Sequence, residues 1–207
     1  NILLLGGTGF VGRKLAQRLA GQYIVHIIAR TADKFPKMDD VYCYPGSLGD
    51  GDLLRRVLPC CQLVFHVASD TTPGVSALLP AFEAEHNLLP TLSFLEVLQD
   101  YPDAFFIYLS TGGAIYGNSP EFLVTETTPL LPLSYYGAGK AAIEKFIIAF
   151  CHQTGHPALI LRPSNFYGPG QLYRPGFGIV PTIFYHLRKK MALSVWGDGE
   201  NIRDYLF

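Results

Sequence analysis

The sequence predicts an α/β fold: a doubly wound parallel sheet of the Rossmann type, with a small C-terminal substrate-binding lobe that is incomplete in this chain. Three observations predict it. Short apolar runs alternate with helix-like stretches, and this alternation implies right-handed crossovers between parallel strands. The runs consist almost wholly of Ile, Leu, Val and Phe, as in strands that are covered on both faces. A glycine-rich motif directly follows the first run, where such folds bind nucleotides.

The predicted strands are short apolar runs bounded by turn-forming residues. They cover residues 2–5, 23–29, 63–67, 105–110, 158–161 and 193–196. Residues 203–207 resemble one more strand, but the chain stops before any exit from it. Because the chain also begins inside a strand and without an initiator Met, we expect both ends to be cut and a C-terminal part to be missing.

The predicted helices have apolar residues at helical spacing. They cover residues 10–19, 50–57, 77–98, 136–152 and 180–190. Asp50 and Asp52 begin the second of them, where the helix dipole favours acidic groups. Pro80 and Pro90 break or kink the third, because proline cannot donate the backbone hydrogen bond of a helix.

The composition favours a globular protein with a large core and excludes several classes of partner. Of the 207 residues, 49% are hydrophobic and 16% are charged, and the net charge is -1. We therefore expect no nucleic-acid partner, since the chain lacks a basic footprint. We also expect no membrane partner, since no apolar run approaches the roughly 18 residues of a membrane span.

The cysteines and histidines predict neither disulfides nor a metal site. Cys43, Cys60, Cys61 and Cys151 form no CxxC motif, which indicates reduced thiols in a cytoplasmic protein. Neither the Glu85-His86 pair nor the pair His152 and His156 is completed by further ligands at metal-site spacing.

The motif GGTGFVG at residues 6–12 predicts a phosphate-binding loop. It directly follows the first strand and opens the first helix. Gly6 permits the tight turn, Gly9 lets backbone N–H groups approach a pyrophosphate, and Gly12 lets helix and strand pack closely. The helix N-terminus then supplies partial positive charge.

The end of the second strand bears on the choice between NAD and NADP. NAD-binding proteins usually carry an acidic residue there, but this chain has Ala29 followed by Arg30. A guanidinium could pair with a 2′-phosphate, so Arg30 favours NADP, while NAD stays possible. Alternatively, Arg30 is a solvated loop residue.

Tyr136 and Lys140 form the candidate catalytic pair. They stand four residues apart and therefore share one helix face. The ammonium, together with a positively charged cofactor ring, is expected to lower the pKa of the phenol. A tyrosine that ionises nearer neutrality can take the proton of an alcohol as hydride leaves.

These motifs together resemble the extended short-chain dehydrogenase/reductases of the NAD-dependent epimerase/dehydratase family, in particular its UDP-glucose 4-epimerase-like members. The resemblance covers nearly the whole chain. It rests on GGTGFVG at 6–12, FHVAS at 65–69, STGGAIYG at 110–117, YYGAGK at 135–140, LRPSNFYGPGQ at 161–171 and VWGDGENIRDY at 195–205.

The resemblance implies roles for individual residues. Tyr136 would be the general base, Lys140 its partner and Thr111 the assisting hydroxyl. The cofactor would contact Gly6, Gly9, Phe10, Val11, Gly12, Arg30, Ser47, Leu48, Val67, Ala68, Ser69, Tyr136, Lys140 and Pro163. A nucleotide-diphosphate sugar would contact Thr111, Gly112, Asn165, Val180, Ser194, Val195, Trp196 and Arg203. Residues 81–99 and 136–152 would form the four-helix bundle of a homodimer.

Three departures from the family pattern qualify these roles. Gly112 occupies the usual position of a Ser or Thr, which leaves Thr111 as the next hydroxyl. Ser47 replaces a usual Asp, so the adenine contact is expected to be weaker. Gly112, Gly113 and Ala114 offer no proton donor, which disfavours the dehydration that related 4,6-dehydratases perform.

The resemblance therefore implies an NAD(P)-binding Rossmann domain at residues 1–163 and a partial substrate-binding lobe at residues 164–207. The expected function is 4-epimerisation of a nucleotide sugar through a transient 4-keto sugar, with NAD or NADP held tightly. An NADP-dependent sugar reductase or dehydrogenase is an alternative, which Arg30 supports. A non-catalytic cofactor-binding sensor or scaffold is another, for which Gly112 is the main argument.

Overall fold

A parallel sheet of six strands forms the centre of the molecule. The computed structural model describes residues 1–74, 76–119, 123–195 and 197–207. The strands are β1 (Ile2–Leu5), β2 (Val25–Ala29), β3 (Val41–Pro45), β4 (Leu63–His66), β5 (Phe105–Leu109) and β6 (Ala158–Leu161). Their spatial order is β3-β2-β1-β4-β5-β6, which is that of a dinucleotide-binding Rossmann sheet. The predicted fold class is confirmed.

Helices cover both faces of this sheet. They are α1 (Phe10–Leu19), α2 (Gly51–Val57), α3 (Pro80–Glu83), α4 (Leu89–Leu98), α5 (Tyr135–Thr154) and α6 (Ile179–Lys189). Leu3 and Leu5 of β1 pack in one core with residues of α2, α4 and α5. Ile2 and Leu4 point to the other face and pack in a second core with Ala16 of α1. Burial on both faces explains why β1 is wholly apolar.

The prolines of the third predicted helix interrupt it as expected. Pro80 is the first residue of α3, and a π-helical turn (Ala84–Leu88) joins α3 to α4. Pro90 lies in the first turn of α4. A wide turn at this point accommodates the missing backbone donor of Pro90.

One strand was missed by the sequence, and one strand prediction is wrong. Residues 41–45 form β3, a strand that the sequence did not reveal, because its residues are only half-buried and it ends in Pro45. Such a composition is tolerated at the edge of a sheet. Residues 193–195 form no strand and pair with none of the described strands, and Val195 is exposed. Trp196, the last residue of that predicted strand, lies outside the described residues.

A second, two-stranded sheet forms in the C-terminal part. Parallel strands β7 (Asn165–Phe166) and β8 (Tyr205–Leu206) pair there, so the strand predicted near residue 205 exists but is short. The division into domains at residues 163 and 164 stays a prediction. Within the described ranges, no helix has both the length and the apolar character needed to cross a bilayer.

Candidate active site

The carboxyl ends of β1, β2 and β4 meet at one edge of the sheet and form a cleft of about 520 Å³. Ligands of open α/β sheets bind in such a crevice. Among its lining residues are these predicted cofactor contacts: Gly6, Gly9, Arg30, Ser47, Leu48, Val67, Ala68 and Ser69. The tertiary structure thus brings together predicted residues from four separate loops. The other predicted cofactor contacts are outside this lining, namely Phe10, Val11, Gly12, Tyr136, Lys140 and Pro163.

The glycines of the loop differ in what requires them. Gly6 has φ +87°, and a Cβ there would lie 2.6 Å from the Ala68 Cα. A Cβ on Gly12 would lie 2.5 Å from the Gly6 oxygen. Packing alone therefore demands glycine at both positions. A Cβ on Gly9 would meet only the Gly6 oxygen, at 3.4 Å, among the described atoms. Gly9 keeps its backbone open towards the cleft, as a bound pyrophosphate requires.

The N-terminus of α1 offers backbone donors at the same place. Arg13 N donates to the Gly9 oxygen at 2.9 Å, which is the first bond of the helix, so the amides of Phe10, Val11 and Gly12 precede the helical ladder. In the described chain no side chain caps α1, and its first turn has no acidic residue. In contrast, Asp50 caps α2 and Ser134 caps α5. The end of α1 fits an external anion such as a pyrophosphate.

Arg30 is held by a carboxylate across the cleft. Its Nη2 lies 2.7 Å from Oδ1 of Asp70, which follows β4. The Arg30 side chain is 67% exposed, so this ion pair adds little stability. The ion pair matters for the choice of cofactor. The Asp70 carboxylate already neutralises the guanidinium that would have to bind a 2′-phosphate of NADP.

Tyr136, Lys140 and Thr111 lie together at the carboxyl end of β5. Thr111 is close enough to Tyr136 to lower the pKa of its phenol, and Lys140 Nζ lies 5.9 Å from the centroid of the Tyr136 ring. Lys140 is buried, and its Nζ donates to the Leu109 oxygen at 3.0 Å. Helix α5 positions Tyr136 in its first turn, which Ser134 caps through Gly137 N at 3.1 Å.

The expected lowering of the pKa of Tyr136 is wrong for the chain alone. Burial raises the pKa of Tyr136 to about 12, the Glu83 carboxylate adds to the rise, and the Thr111 side chain opposes it. Burial also lowers the pKa of Lys140 to about 8, while Glu83 and Glu144 oppose that change. Desolvation therefore exceeds the effect of the ammonium on the phenol, since both groups are withdrawn from water.

A buried polar row on α3, the π-turn and α4 was not found from the sequence. Glu83 and Asn87 are buried and bonded to each other, with Asn87 Nδ2 donating to Glu83 Oε1 at 3.0 Å. Thr71 donates to the other Glu83 oxygen, and Thr91 donates to the Asn87 oxygen at 2.6 Å. The spacing of Glu83, Asn87 and Thr91 at i, i+4 and i+8 is the signal that could have revealed one polar helix face.

Gly112 is explained by packing. A Cβ at this position would lie 2.9 Å from the Arg162 oxygen, and Gly112 N donates to the Pro163 oxygen at 2.6 Å. A Ser or Thr there would collide with the end of β6. Of the two neighbouring hydroxyls, that of Thr111 acts on the pKa of Tyr136, whereas Ser110 Oγ is buried and has no partner among the described atoms.

The predicted substrate contacts are only partly assembled. Asn165 lies beside Gly113, whose Cβ would be 3.4 Å from Asn165 Oδ1, and it bonds to the Asp204 oxygen at 3.0 Å. Within the described ranges, none of the predicted substrate contacts lines the cleft, and those outside it are Thr111, Gly112, Asn165, Val180, Ser194, Val195 and Arg203. Trp196 is outside the described residues. Arg174, which was not predicted, lines the cleft with the cofactor residues.

Comparisons with known proteins agree with this geometry. Residues 2–207 match the model of the NAD dependent epimerase/dehydratase family. The chain is 30% identical over 213 residues to a putative UDP-glucose 4-epimerase of Methanocaldococcus jannaschii, covering 100% of this chain and 69% of the relative. It is 36% identical over 227 residues to a dTDP-glucose 4,6-dehydratase of Xanthomonas campestris pv. campestris, covering 99% of this chain but 63% of the relative.

A solved structure shows the same fold. UDP-glucose 4-epimerase of Thermus thermophilus, in complex with NAD, superimposes with a TM-score of 0.89 at 31% identity. The match covers 99% of this chain and 70% of that structure. The chain therefore spans about two thirds of the length of these relatives, and it belongs to the NAD-dependent epimerase/dehydratase family of extended short-chain dehydrogenase/reductases.

Proposed function

We propose that the protein is an NAD-dependent nucleotide-sugar 4-epimerase in which Tyr136 is the general base. One observation carries the proposal: the buried Lys140 has its Nζ 5.9 Å from the centroid of the Tyr136 ring, and the Thr111 side chain acts on the same phenol. This trio stands at the carboxyl edge of the sheet that also forms the cleft with the open Gly9 backbone. A proton acceptor and a dinucleotide site on one sheet edge are what reversible oxidation of an alcohol requires.

In the proposed reaction, Tyr136, Thr111 and Lys140 have different roles. The Tyr136 oxygen takes the proton of the sugar C4 hydroxyl and later returns it to the rotated ketone, while the Thr111 hydroxyl favours the ionised phenol by lowering its pKa. Lys140 is largely protonated at neutral pH, since its pKa is about 8, so its charge favours phenolate. The chemistry supplied by bound NAD is hydride acceptance and return, with a positive ring that further lowers the pKa of a nearby phenol.

Epimerisation is favoured over dehydration by the loop after β5. Removal of water from a sugar needs a proton donor beside the substrate, and Gly112, Gly113 and Ala114 have none. Glu83 is a buried acid that acts on Tyr136, but its two oxygens accept hydrogen bonds from Thr71 and Asn87. Both an epimerase and a dehydratase are among the relatives that match the chain. Our choice of epimerisation over dehydration therefore rests on this loop.

We propose NAD rather than NADP as the cofactor. The preference for NADP depended on a free Arg30, but the Asp70 carboxylate lies 2.7 Å from its guanidinium. An added 2′-phosphate would face that carboxylate and lose much of the attraction. The same pair removes the main argument for an NADP-dependent reductase.

We further propose the homodimer that the family resemblance implies. Helices α4 and α5 pack against each other and leave large apolar side chains exposed, namely Leu89, Phe146 and Ile148. Exposed apolar side chains on adjacent helices suit a bundle with a second copy. The cytoplasmic location stays a prediction that rests on four free cysteines.

The decisive test is Tyr136→Phe in the full-length protein, assayed for interconversion of UDP-glucose and its 4-epimer. We expect a loss of at least about a hundredfold in kcat, because a general base contributes roughly 10²–10⁴-fold. Tyr135→Phe is the matched control, since the neighbouring ring is 46% exposed, and it should keep its activity.

The assay also separates the alternatives. Turnover without added cofactor supports an epimerase, whereas a requirement for stoichiometric cofactor indicates a reductase or dehydrogenase. Loss of water from the sugar would show a dehydratase. If the wild type binds NAD but converts no nucleotide sugar, the protein is a sensor or scaffold and the proposal fails.

A further inference from the structure

Three soft-metal ligands converge at a place that the proposed reaction does not use. His26 lies on β2, and Cys60 and Cys61 end the short 3₁₀ turn that follows α2. Cys60 Sγ is 3.5 Å from His26 Nε2 and 3.8 Å from Cys61 Sγ. All three ligand atoms lie within 4.8 Å of one another. None of these residues lines the nucleotide cleft in the described structure.

The separations are those of a tetrahedral zinc site. With Zn–S bonds of about 2.3 Å and a Zn–N bond of about 2.05 Å, tetrahedral angles place two sulfurs roughly 3.8 Å apart and sulfur and nitrogen roughly 3.6 Å apart. Two of the three ligand distances already match these values. A disulfide between the cysteines would instead require about 2.05 Å between the sulfurs.

The imidazole is oriented for this use. His26 Nδ1 is 3.0 Å from the hydroxyl of Tyr44, which leaves Nε2 facing the sulfurs. Metal-bound histidines typically engage their second ring nitrogen in such a bond, which fixes the ring. The rings of Tyr42 and Tyr44 stack on His26 at centroid distances of 5.6 and 5.8 Å and limit its movement.

The two thiols point to the same space, and a metal ion can enter that space from solvent. Both sulfurs lie near the Val57 oxygen, Cys60 at 3.1 Å and Cys61 at 3.3 Å, and donate to it. Cys61 is buried, whereas Cys60 is only partly buried, so an ion could arrive along the Cys60 side. Two thiolates would neutralise a divalent cation, which suits a site of low polarity.

We propose that His26, Cys60 and Cys61 bind one Zn²⁺ ion, with water as the fourth ligand. Each thiol gives its proton to solvent as its sulfur–metal bond forms, so one Zn²⁺ enters and two protons leave. The ion would tie β2 to the turn after α2, at residues separated by 34 positions in the chain. Because its ligands are outside the lining of the cleft, this site does not depend on the proposed epimerase reaction.

The test is metal titration of the reduced, tag-free, full-length protein. Zn²⁺ is titrated in competition with a chromophoric chelator, and Co²⁺ is used as a spectroscopic probe. We expect one equivalent of Zn²⁺ to bind, and Co²⁺ to give the near-ultraviolet absorption of thiolate ligation. Cys60→Ser should weaken Zn²⁺ binding at least about tenfold and remove that absorption, since a thiolate ligand is lost.

Matched variants keep the test clear of folding effects. Cys151→Ser is the control, because Cys151 is also partly buried but lies on α5, and it should bind metal like the wild type. Tyr44→Phe keeps all three ligands and should weaken binding roughly 10- to 100-fold through the lost support of His26. Failure of the wild type to compete for Zn²⁺, or equal binding by a folded Cys60→Ser protein, would overturn the proposal.

Discussion

Two buried carboxylates act on Lys140, and of the two Glu144 alone has an ion-pair partner among the described residues. Glu144 lies one turn after Lys140 on α5 and is fully buried. It accepts from Arg162 Nη2 at 2.7 Å and from Arg162 Nε at 3.1 Å. Glu83 comes from α3 and is bonded only to the neutral groups of Thr71 and Asn87 in the described structure.

This difference indicates a structural role for Glu144 and an electrostatic role for Glu83, whose charge shifts the pKa of the catalytic pair. The Arg162 guanidinium pairs with the Glu144 carboxylate at 2.7 Å, so the pair joins α5 to the residue that follows β6. Glu83 has no such counter-ion among the described residues, and its field acts on Tyr136 and Lys140, where it raises the pKa of both groups. Groups whose pKa is shifted by burial together with a nearby charge are typical of functional sites.

The largest expected effect comes from breaking the structural pair. Arg162→Met leaves Glu144 buried without a cation, and we expect the free energy of unfolding to fall by about 3–5 kcal/mol. Adding Glu144→Gln should restore part of this loss, as chemical denaturation would measure. The exposed pair of Arg55 and Asp52, 3.9 Å apart, is the control, and Arg55→Met should change little. Equal stability of the single and double Arg162 variants would refute the assignment.

The next effect concerns Lys140 itself, as the group between the two carboxylates. Its pKa is about 8 in the folded chain, below the ordinary value of 10.5. The unfolded chain therefore binds the proton more tightly between these values, and stability rises with pH across that window. From about pH 7.5 to about pH 9.5, Lys140 should contribute an increase of about 2 kcal/mol.

This increase is measured as a difference from Lys140→Met, since the other groups that titrate in the window are common to both proteins. Urea denaturation at the two pH values gives both free energies. A wild type and a Lys140→Met variant with the same pH dependence would show that the lysine is not withdrawn from water.

The smallest expected effect tests Glu83 as a tuning charge. Glu83→Gln removes the carboxylate and keeps the shape of the side chain, so the pKa of Tyr136 and of Lys140 should both fall. The pH profile of kcat/KM should then move to lower pH by about one unit. Glu96→Gln, on the exposed side of α4, should leave the profile in place. A pH profile unchanged by Glu83→Gln would show that Glu83, like Glu144, has only a structural role.

The sequence alone predicted the features that depend on local chemistry. The wholly apolar β1, the loop at residues 6–12 and the helix with Tyr136 and Lys140 were each recognisable within a few residues. Their signals are the spacing of apolar side chains, the conformational demands of glycine and the i, i+4 spacing of a helix face. For the same reason, the fold class and the edge of the sheet that carries the cleft could be predicted before any coordinates.

The tertiary structure decided what depends on pairing across the chain. Edge strand β3 forms by pairing with β2, whereas residues 193–195 pair with none of the described strands. Three interactions form only once the sheet has assembled. Asp70 pairs with Arg30, the charge of Glu83 acts on Tyr136 and Lys140, and His26 lies beside the two cysteines. Charge interactions and burial act through space, so neither the pKa of Tyr136 nor the partner of Arg30 could be obtained from sequence spacing.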